Sequence, residues 1–178
     1  MWNSKSAGLD VADLASDAPA VALSPSAVSA RRWQLLSVCI AVLVIDQLTK
    51  AWAVDALDDS SIDGPLGSSL RLVYNHGSAF SLGEGLGPIF GVLAVAVSLA
   101  LFWIVRHVES RIVVLGLGLI QGGALGNVID RLLRDGDGFL GGAVIDFLEI
   151  GGWWPVFNIA DAAIVIGGAI VAILGSRD

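Results

Sequence analysis

"FNIADAAIVIGGAIVAILG", residues 157–175, is an almost unbroken run of small and apolar side chains that carries one charge, Asp161. At 1.5 Å per residue a helix of this length comes close to spanning the ~30 Å hydrocarbon core of a bilayer. Only a helix keeps every backbone N–H and C=O of such a single segment paired inside lipid. The stretch therefore reads as a transmembrane helix. A carboxylate within it costs a few kcal/mol or more, so Asp161 needs a partner or a task.

The rest of the chain agrees with a membrane reading. Of the 178 residues 55% are hydrophobic and only 15% are charged, with a mean hydropathy of +0.77. Soluble domains are nearer a quarter charged. Three further apolar segments lie at about 33–54, 88–105 and 112–131. Residues 1–30, rich in Ala, Ser, Asp and Pro and without periodicity, read as a disordered tail, leaving 31–178 as the folded unit. The net charge of −7 argues against nucleic acid, which needs a basic face. The single cysteine, Cys39, lies in an apolar run with no cationic neighbour, so it reads as a small buried hydrophobe rather than a nucleophile.

Basic residues give the direction. Arg31 and Arg32 precede the first span, Arg106 and Arg111 flank the short second connection, and Arg177 follows the last span. Placing these inside puts both termini in the cytoplasm and the two longer connections, about 55–87 and 132–156, outside. Trp153 and Trp154 then fall at the outer interface and Trp33 at the inner one. The rival reading of "ARRWQLLSVCIAVLVI" as a cleaved signal with Ala51–Trp52–Ala53 as its site is weakened by Asp46 and Lys50, which lie between the run and that site.

This topology collects the unusual polar groups at one depth. Asp46, Gln47 and Lys50 of the first span, Asn127, Asp130 and Arg131 of the third, and Asn158 and Asp161 of the fourth all fall towards the outer surface. Asp46 and Lys50 are four apart and can pair, with Lys50 expected to snorkel outward. Asp130 and Arg131 point about 100° apart and need different partners. Gly118, Gly122 and Gly126 recur every four residues and form a small-residue stripe for close helix packing. Asn158 is placed to cap the last helix and Asp161 to be its third-position acid.

The outer connections look structured. "LRLVYN", 70–75, and "AVIDFLEI", 143–150, alternate as half-buried strands do, so a small sheet is expected on the membrane surface. In the second, Asp146 shares a face with Val144 and Leu148, a setting that raises a carboxyl pKa. Metal hydrolysis is disfavoured, because His76 falls outside and His107 inside, and "DGDG" at 135–138 fails as a calcium loop where Phe139 takes a ligand position. No serine stands in a nucleophile-elbow setting. Four outer carboxylates remain, Asp46, Asp130, Asp146 and Asp161, and two of them sharing one water would form an aspartic-protease dyad.

Five ordered motifs, "DQLTK" at 46–50, "NHGSAF" at 75–80, "GNVIDR" at 126–131, "VIDF" at 144–147 and "FNIAD" at 157–161, resemble those of the lipoprotein signal peptidases (signal peptidase II). The resemblance covers about 33–175. It implies an α-helical membrane protein with four transmembrane helices and a small extracytoplasmic β-platform, in the bacterial inner membrane, with its site near the outer face. The implied activity is removal of the signal peptide from diacylglyceryl-modified prolipoproteins, by cleavage before the lipidated cysteine. It assigns Asp146 and Asp161 as the catalytic pair, and Asn75, Asn127, Asp130, Arg131, Asn158, Asp46 and Lys50 as residues that shape the site or hold substrate. No cofactor or metal is implied; the partners are prolipoprotein and membrane lipid, and a monomer is expected. The insertion "LLRDGDGFLGGA", 132–143, is longer than the family leads one to expect, and it must deliver Asp146. The rival class is a proton-coupled transporter or channel subunit with Asp46, Asp130 and Asp161 as a relay.

Overall fold

A computed structural model describes residues 23–77, 87–136 and 138–175. Four helices and a three-stranded sheet follow in the order α1 (Pro25–Leu57), β1 (Ser61–Asp63), β2 (Ser68–Asn75), α2 (Gly87–Ile104), α3 (Arg111–Leu133), β3 (Val144–Ile150) and α4 (Ile159–Leu174). Helices α1, α2 with the 3-10 turn that continues it, and α3 are long and apolar enough to cross a membrane. Helix α4, with 16 residues, is apolar but shorter, about 24 Å.

Helix α1 starts earlier than the composition suggests. Ser24 accepts a hydrogen bond from the Ala27 N–H, and Pro25 follows at the first helical position. These are start signals in their own right, since both satisfy or remove orphan N–H groups. Residues 25–30, read from composition as tail, are therefore the first turns of a 33-residue helix about 50 Å long. The remainder of that tail, residues 1–22, lies outside the described residues.

The bundle is inside-out relative to a soluble domain. Helix α1 buries Leu35, Cys39, Val42, Asp46, Lys50, Ala53 and Leu57, a single face at helical spacing. Its other faces expose Ile40, Val44, Ile45, Leu48 and Trp52, and α4 exposes Val165, Ile166 and Ile173. Apolar surface on that scale, around charges that are themselves buried, is what lipid as solvent selects.

Helix α3 is the centre of the bundle, and glycines set its two packing faces. Gly118, Gly122 and Gly126 face α1, where an added Cβ would run into Val38, Val42 and the Asp46 carboxylate respectively. Gly123 and Gly116 face α4, with the Ala160 and Gly167 carbonyls in the way of any side chain. The small-residue stripe thus brings α1 close, and a second one, not singled out in the sequence, brings α4 close.

The sheet is antiparallel with β2 in the middle. The expected strands at 70–75 and 143–150 are β2 and β3; β1 is short, exposed and was not anticipated. A bulge between Leu70 and Val73 shifts the register so that Val73 faces Asp146 and Asn75 faces Val144. The sheet seats on the end of α1 through Ile145 and Phe147, packed on Ala53 and Leu57, with Trp52 edge-on to Phe147. Beyond β3 the chain turns at Gly151 and Gly152, both at positive φ, and Phe157 pairs back with Leu148 before α4 begins. Gly151 at φ 68° lies in the left-handed region, so this turn needs glycine for its conformation.

Candidate active site

Helix α4 begins with a reciprocal cap. The Asn158 side chain accepts from the Asp161 N–H at 2.9 Å, and the Asp161 carboxylate accepts from the Asn158 N–H at 3.3 Å. The cap fixes where the Asp161 carboxylate points, because both ends of the residue are tied to one turn of helix. Its other oxygen accepts from the Asn127 amide on α3 at 2.9 Å.

Asp146 comes from the sheet and meets this turn. The Asn158 amide donates to Asp146 Oδ1 at 2.7 Å, and the Asn75 amide of β2 donates to Oδ2 at 2.9 Å. Asn158 therefore touches both carboxylates, one through its side chain and one through its backbone. Asp146 is 2% exposed. Burial raises its pKa to about 7, and the nearby Asp161 charge adds to the rise; the hydrogen bonds from Asn75 and Asn158 and the Lys50 charge oppose it.

The insertion at 132–143 reaches Asp146 by folding back on α3. Gly142 donates its N–H to the Arg131 carbonyl at 3.1 Å, at the end of the helix. Asp130 Oδ2 then accepts from the Ile145 N–H at 3.2 Å and holds the start of β3. Leu140, at positive φ, is buried with its side chain against Gly91 of α2. The loop is latched at three points, and Asp146 directly follows Ile145, whose N–H is held by Asp130.

Beneath the two carboxylates lies a buried charge cluster. Lys50 Nζ sits 2.8 Å from Asp46, 2.8 Å from Asp130 and 2.9 Å from the Asn127 side-chain oxygen. Lys50 and Asp46 are both 0% exposed, so the expected outward snorkelling does not occur. Two carboxylates and an amide oxygen already satisfy all three ammonium protons, which removes the reason to reach for water. Asp46 also accepts from the Ala160 N–H at 3.0 Å, satisfying another orphan donor at the start of α4.

The residues singled out from sequence form one connected network. Lys50 joins Asp46, Asp130 and Asn127; Asn127 joins Asp161 and Asn158; Asn158 and Asn75 join Asp146. Arg131 enters by a backbone route, donating to the Gly77 carbonyl, while the Gly77 N–H donates to the Asn75 side chain. Asp130 and Arg131 have separate partners, as their angular offset requires. Arg131 Nη1 is buried with no hydrogen-bond partner among the described residues. The part of "NHGSAF" from Ser78 onward lies outside the described residues.

Two contributors lie outside the set that the resemblance assigned, although Gln47 is among the outer polar groups of the first span. Gln47 reaches the Asp130 carboxylate and the Gly126 carbonyl, and Arg134 pairs with Asp130 at 2.9 Å. Both were visible as polar neighbours of Asp46 and Asp130, one residue or one turn away. Among the described residues no group of three His, Cys, Asp or Glu side chains is arranged to hold a metal ion.

The pair opens onto a cavity of about 610 Å³ between α2, α3 and α4. Phe90, Ala94, Ala124 and Val165 line its apolar side, and Asp146, Asp161, Asn127 and Arg131 its polar end.

Such an arrangement defines a class: an apolar helical bundle of membrane type, with a capped pair of carboxylates at one mouth. The chain belongs to the signal peptidase II family, proteases that process signal peptides, because the model of that family, signal peptidase (SPase) II, matches residues 38–176. It is 43% identical over 142 residues to the lipoprotein signal peptidase of Mycobacterium tuberculosis H37Rv, covering 79% of this chain and 69% of that one. It is 40% identical over 168 residues to the lipoprotein signal peptidase of Rhodococcus jostii RHA1, covering 93% and 84%. A bacterial membrane enzyme solved by the in meso method superposes with a TM-score of 0.69 at 26% identity, covering 81% of this chain and 88% of that one.

Proposed function

We propose that this chain is an aspartic endopeptidase that removes signal peptides from diacylglyceryl-modified prolipoproteins, cutting before the lipidated cysteine. The observation that carries the aspartic mechanism is Asn158, which holds Asp146 and Asp161 at once and belongs to a rigid helix cap. The relatives' name, lipoprotein signal peptidase, supports the substrate class. The peptidase unit begins with α1 at Pro25 and works as a monomer, with the residues before α1 outside the catalytic machinery.

In this reading four helices span the bacterial inner membrane, α4 being extended by the polar turn at Asn158. Both termini are cytoplasmic and the sheet lies on the outer surface. The signal peptide enters sideways into the apolar cavity between α2, α3 and α4. Its scissile carbonyl reaches the two carboxylates near the outer interface. Asp146 and Asp161 share one proton. The ionised carboxylate takes a proton from water as the water oxygen bonds to the carbonyl carbon, and the protonated one gives its proton to the carbonyl oxygen. As the gem-diol collapses and the C–N bond breaks, the carboxyl that took the water proton gives it to the departing cysteine amine, and the other carboxylate takes the proton of a gem-diol hydroxyl, so the pair again holds one proton. The Arg131 Nη1 donor is available to a substrate carbonyl, and Asn75 limits access of bulk water.

Asp146→Asn or Asp161→Asn should leave a folded membrane protein whose cleavage rate falls by about 10²–10⁴-fold or more. A gel-shift assay on a diacylglyceryl prolipoprotein measures this, and full cleavage by either purified variant sinks the dyad. Against a proton relay through Asp46, Asp130 and Asp161 stand Lys50, ion-paired with the first two, and Arg134, which also pairs with Asp130.

A further inference from the structure

Asp146 stands between two cavities. The apolar one on the helix side has been described. The second, of about 490 Å³, lies on the sheet side and shares Asn75, Asp146, Trp154, Pro155 and Val156 with the first, while Arg71, Val73 and Trp153 line it alone. Arg71, Val73 and Asn75 of β2 line it, with the bulge between Leu70 and Val73 falling at the Arg71 end, and Trp153 is part of its wall. The chemistry of the two differs. The first has aliphatic and aromatic walls that suit a hydrocarbon-soluble segment. The second has a guanidinium, an amide and two indoles, a surface that suits an extended peptide leaving lipid for water.

We infer that the sheet-side trough binds the chain that follows the lipidated cysteine, over about four residues along Arg71, Val73 and Asn75. This rests on the proposed peptidase reading and deepens it. A peptide cut at Asp146 must enter and leave that residue on opposite sides, and the two cavities supply those sides. From Arg71 to Asn75 is about 13 Å of strand, the reach of about four extended residues. The far end is not a free charge. Arg71 is held by Glu149 through two hydrogen bonds, 2.7 and 3.3 Å, and Ser69 adds a third to the same carboxylate. The guanidinium is thus fixed in place and balanced, so the trough selects an extended backbone rather than an acidic side chain. Trp153, 76% exposed, offers an open aromatic face to whatever lies in it.

The test is a set of synthetic substrates with one signal segment, one diacylglyceryl cysteine and zero, two, four or six residues after it, amidated at the end. For the wild-type enzyme kcat/KM should rise by about tenfold in total up to four residues and then level off, because remote contacts contribute to transition-state binding. Val73→Trp, which fills the trough, should bring the ratio of kcat/KM between the six-residue and zero-residue substrates close to one. Trp153→Ala, at a position exposed enough to spare the fold, should lower the same ratio. Equal kcat/KM at all four lengths overturns the inference, as does a ratio that neither substitution changes. Failure of the wild-type enzyme to cut any of the four overturns the peptidase reading itself, a result distinct from cleavage that ignores length.

Discussion

The two ends of the helical bundle are held by opposite means. At the end far from the sheet, Leu35, Val105, Val113, Val114 and Leu117 fill the interior with hydrocarbon alone. Polar contacts there sit on the rim: Arg31 donates to the Glu109 carbonyl and Gln34 to the Arg111 carbonyl. At the sheet end the interior itself is polar, with Lys50, Asp46, Asp130 and Asn158 at 1% exposure or less. Apolar packing tolerates approximate fit, and a lost methylene costs in proportion to the cavity it leaves. A buried charge network has no such gradation, because each member removed leaves another without its partner. The bundle therefore confines its geometric precision to the end where Asp146 and Asp161 are held by Asn158.

Lys50→Met should expose that contrast most strongly. It keeps the volume of the side chain and leaves Asp46 and Asp130 buried without their shared cation. The expected loss is about 3–5 kcal/mol of stability. Activity should fall as well, since Asn127 loses the donor that orients its amide towards Asp161. Thermal unfolding in detergent and the prolipoprotein assay measure the two. A variant with wild-type Tm would mean that the cluster is better solvated than its burial implies.

Leu35→Ala is the counterpart at the far end. Leu35 is 0% exposed, and its loss should cost about 2–4 kcal/mol. Here kcat/KM at a temperature where the variant is folded should stay at the wild-type value, since nothing in the apolar cluster touches the polar network. A drop in kcat/KM matching that of Lys50→Met would erase the distinction between the ends.

The same contrast explains what the sequence could and could not reveal. Helices α2 and α3 were legible to within one or two residues at each end, because long apolar runs bounded by Ser110 or by glycine leave little choice. Strands β2 and β3 were legible from alternation. The start of α1 is not legible in composition, since its first turns, PSAVSA, are small residues without apolar periodicity and only the Ser24–Pro25 pair marks them. The candidate site was legible as a set: topology put eight polar residues at one depth, and each of them lies in the network. Which partner each would take was not. The direction of Lys50 depends on Asn127 and Asp130, which lie 77 and about 80 residues away, and no local pattern encodes that meeting. Nor did the 132–143 insertion reveal that Gly142 and Leu140 would dock it on α3 and α2.

The smallest expected effect is also the one whose sign is most diagnostic. With Asp146 at about 7 in the folded protein and near 3.9 in an unfolded chain, the folded form binds the proton more tightly. Its contribution to stability is then fullest below about pH 4 and is lost as pH rises towards 7. Under the proposed mechanism activity should fall on the alkaline side as well, because Asp146 loses its proton as pH passes about 7. Asn75 donates to the ionised form of Asp146 at 2.9 Å and so pulls its pKa down. Asn75→Ala removes that donor. The alkaline limb of the kcat/KM profile should move to higher pH, even as the peak rate declines. Simple structural damage would lower the whole profile in place, and a limb that shifted to lower pH would show that Asn75 holds the protonated acid instead.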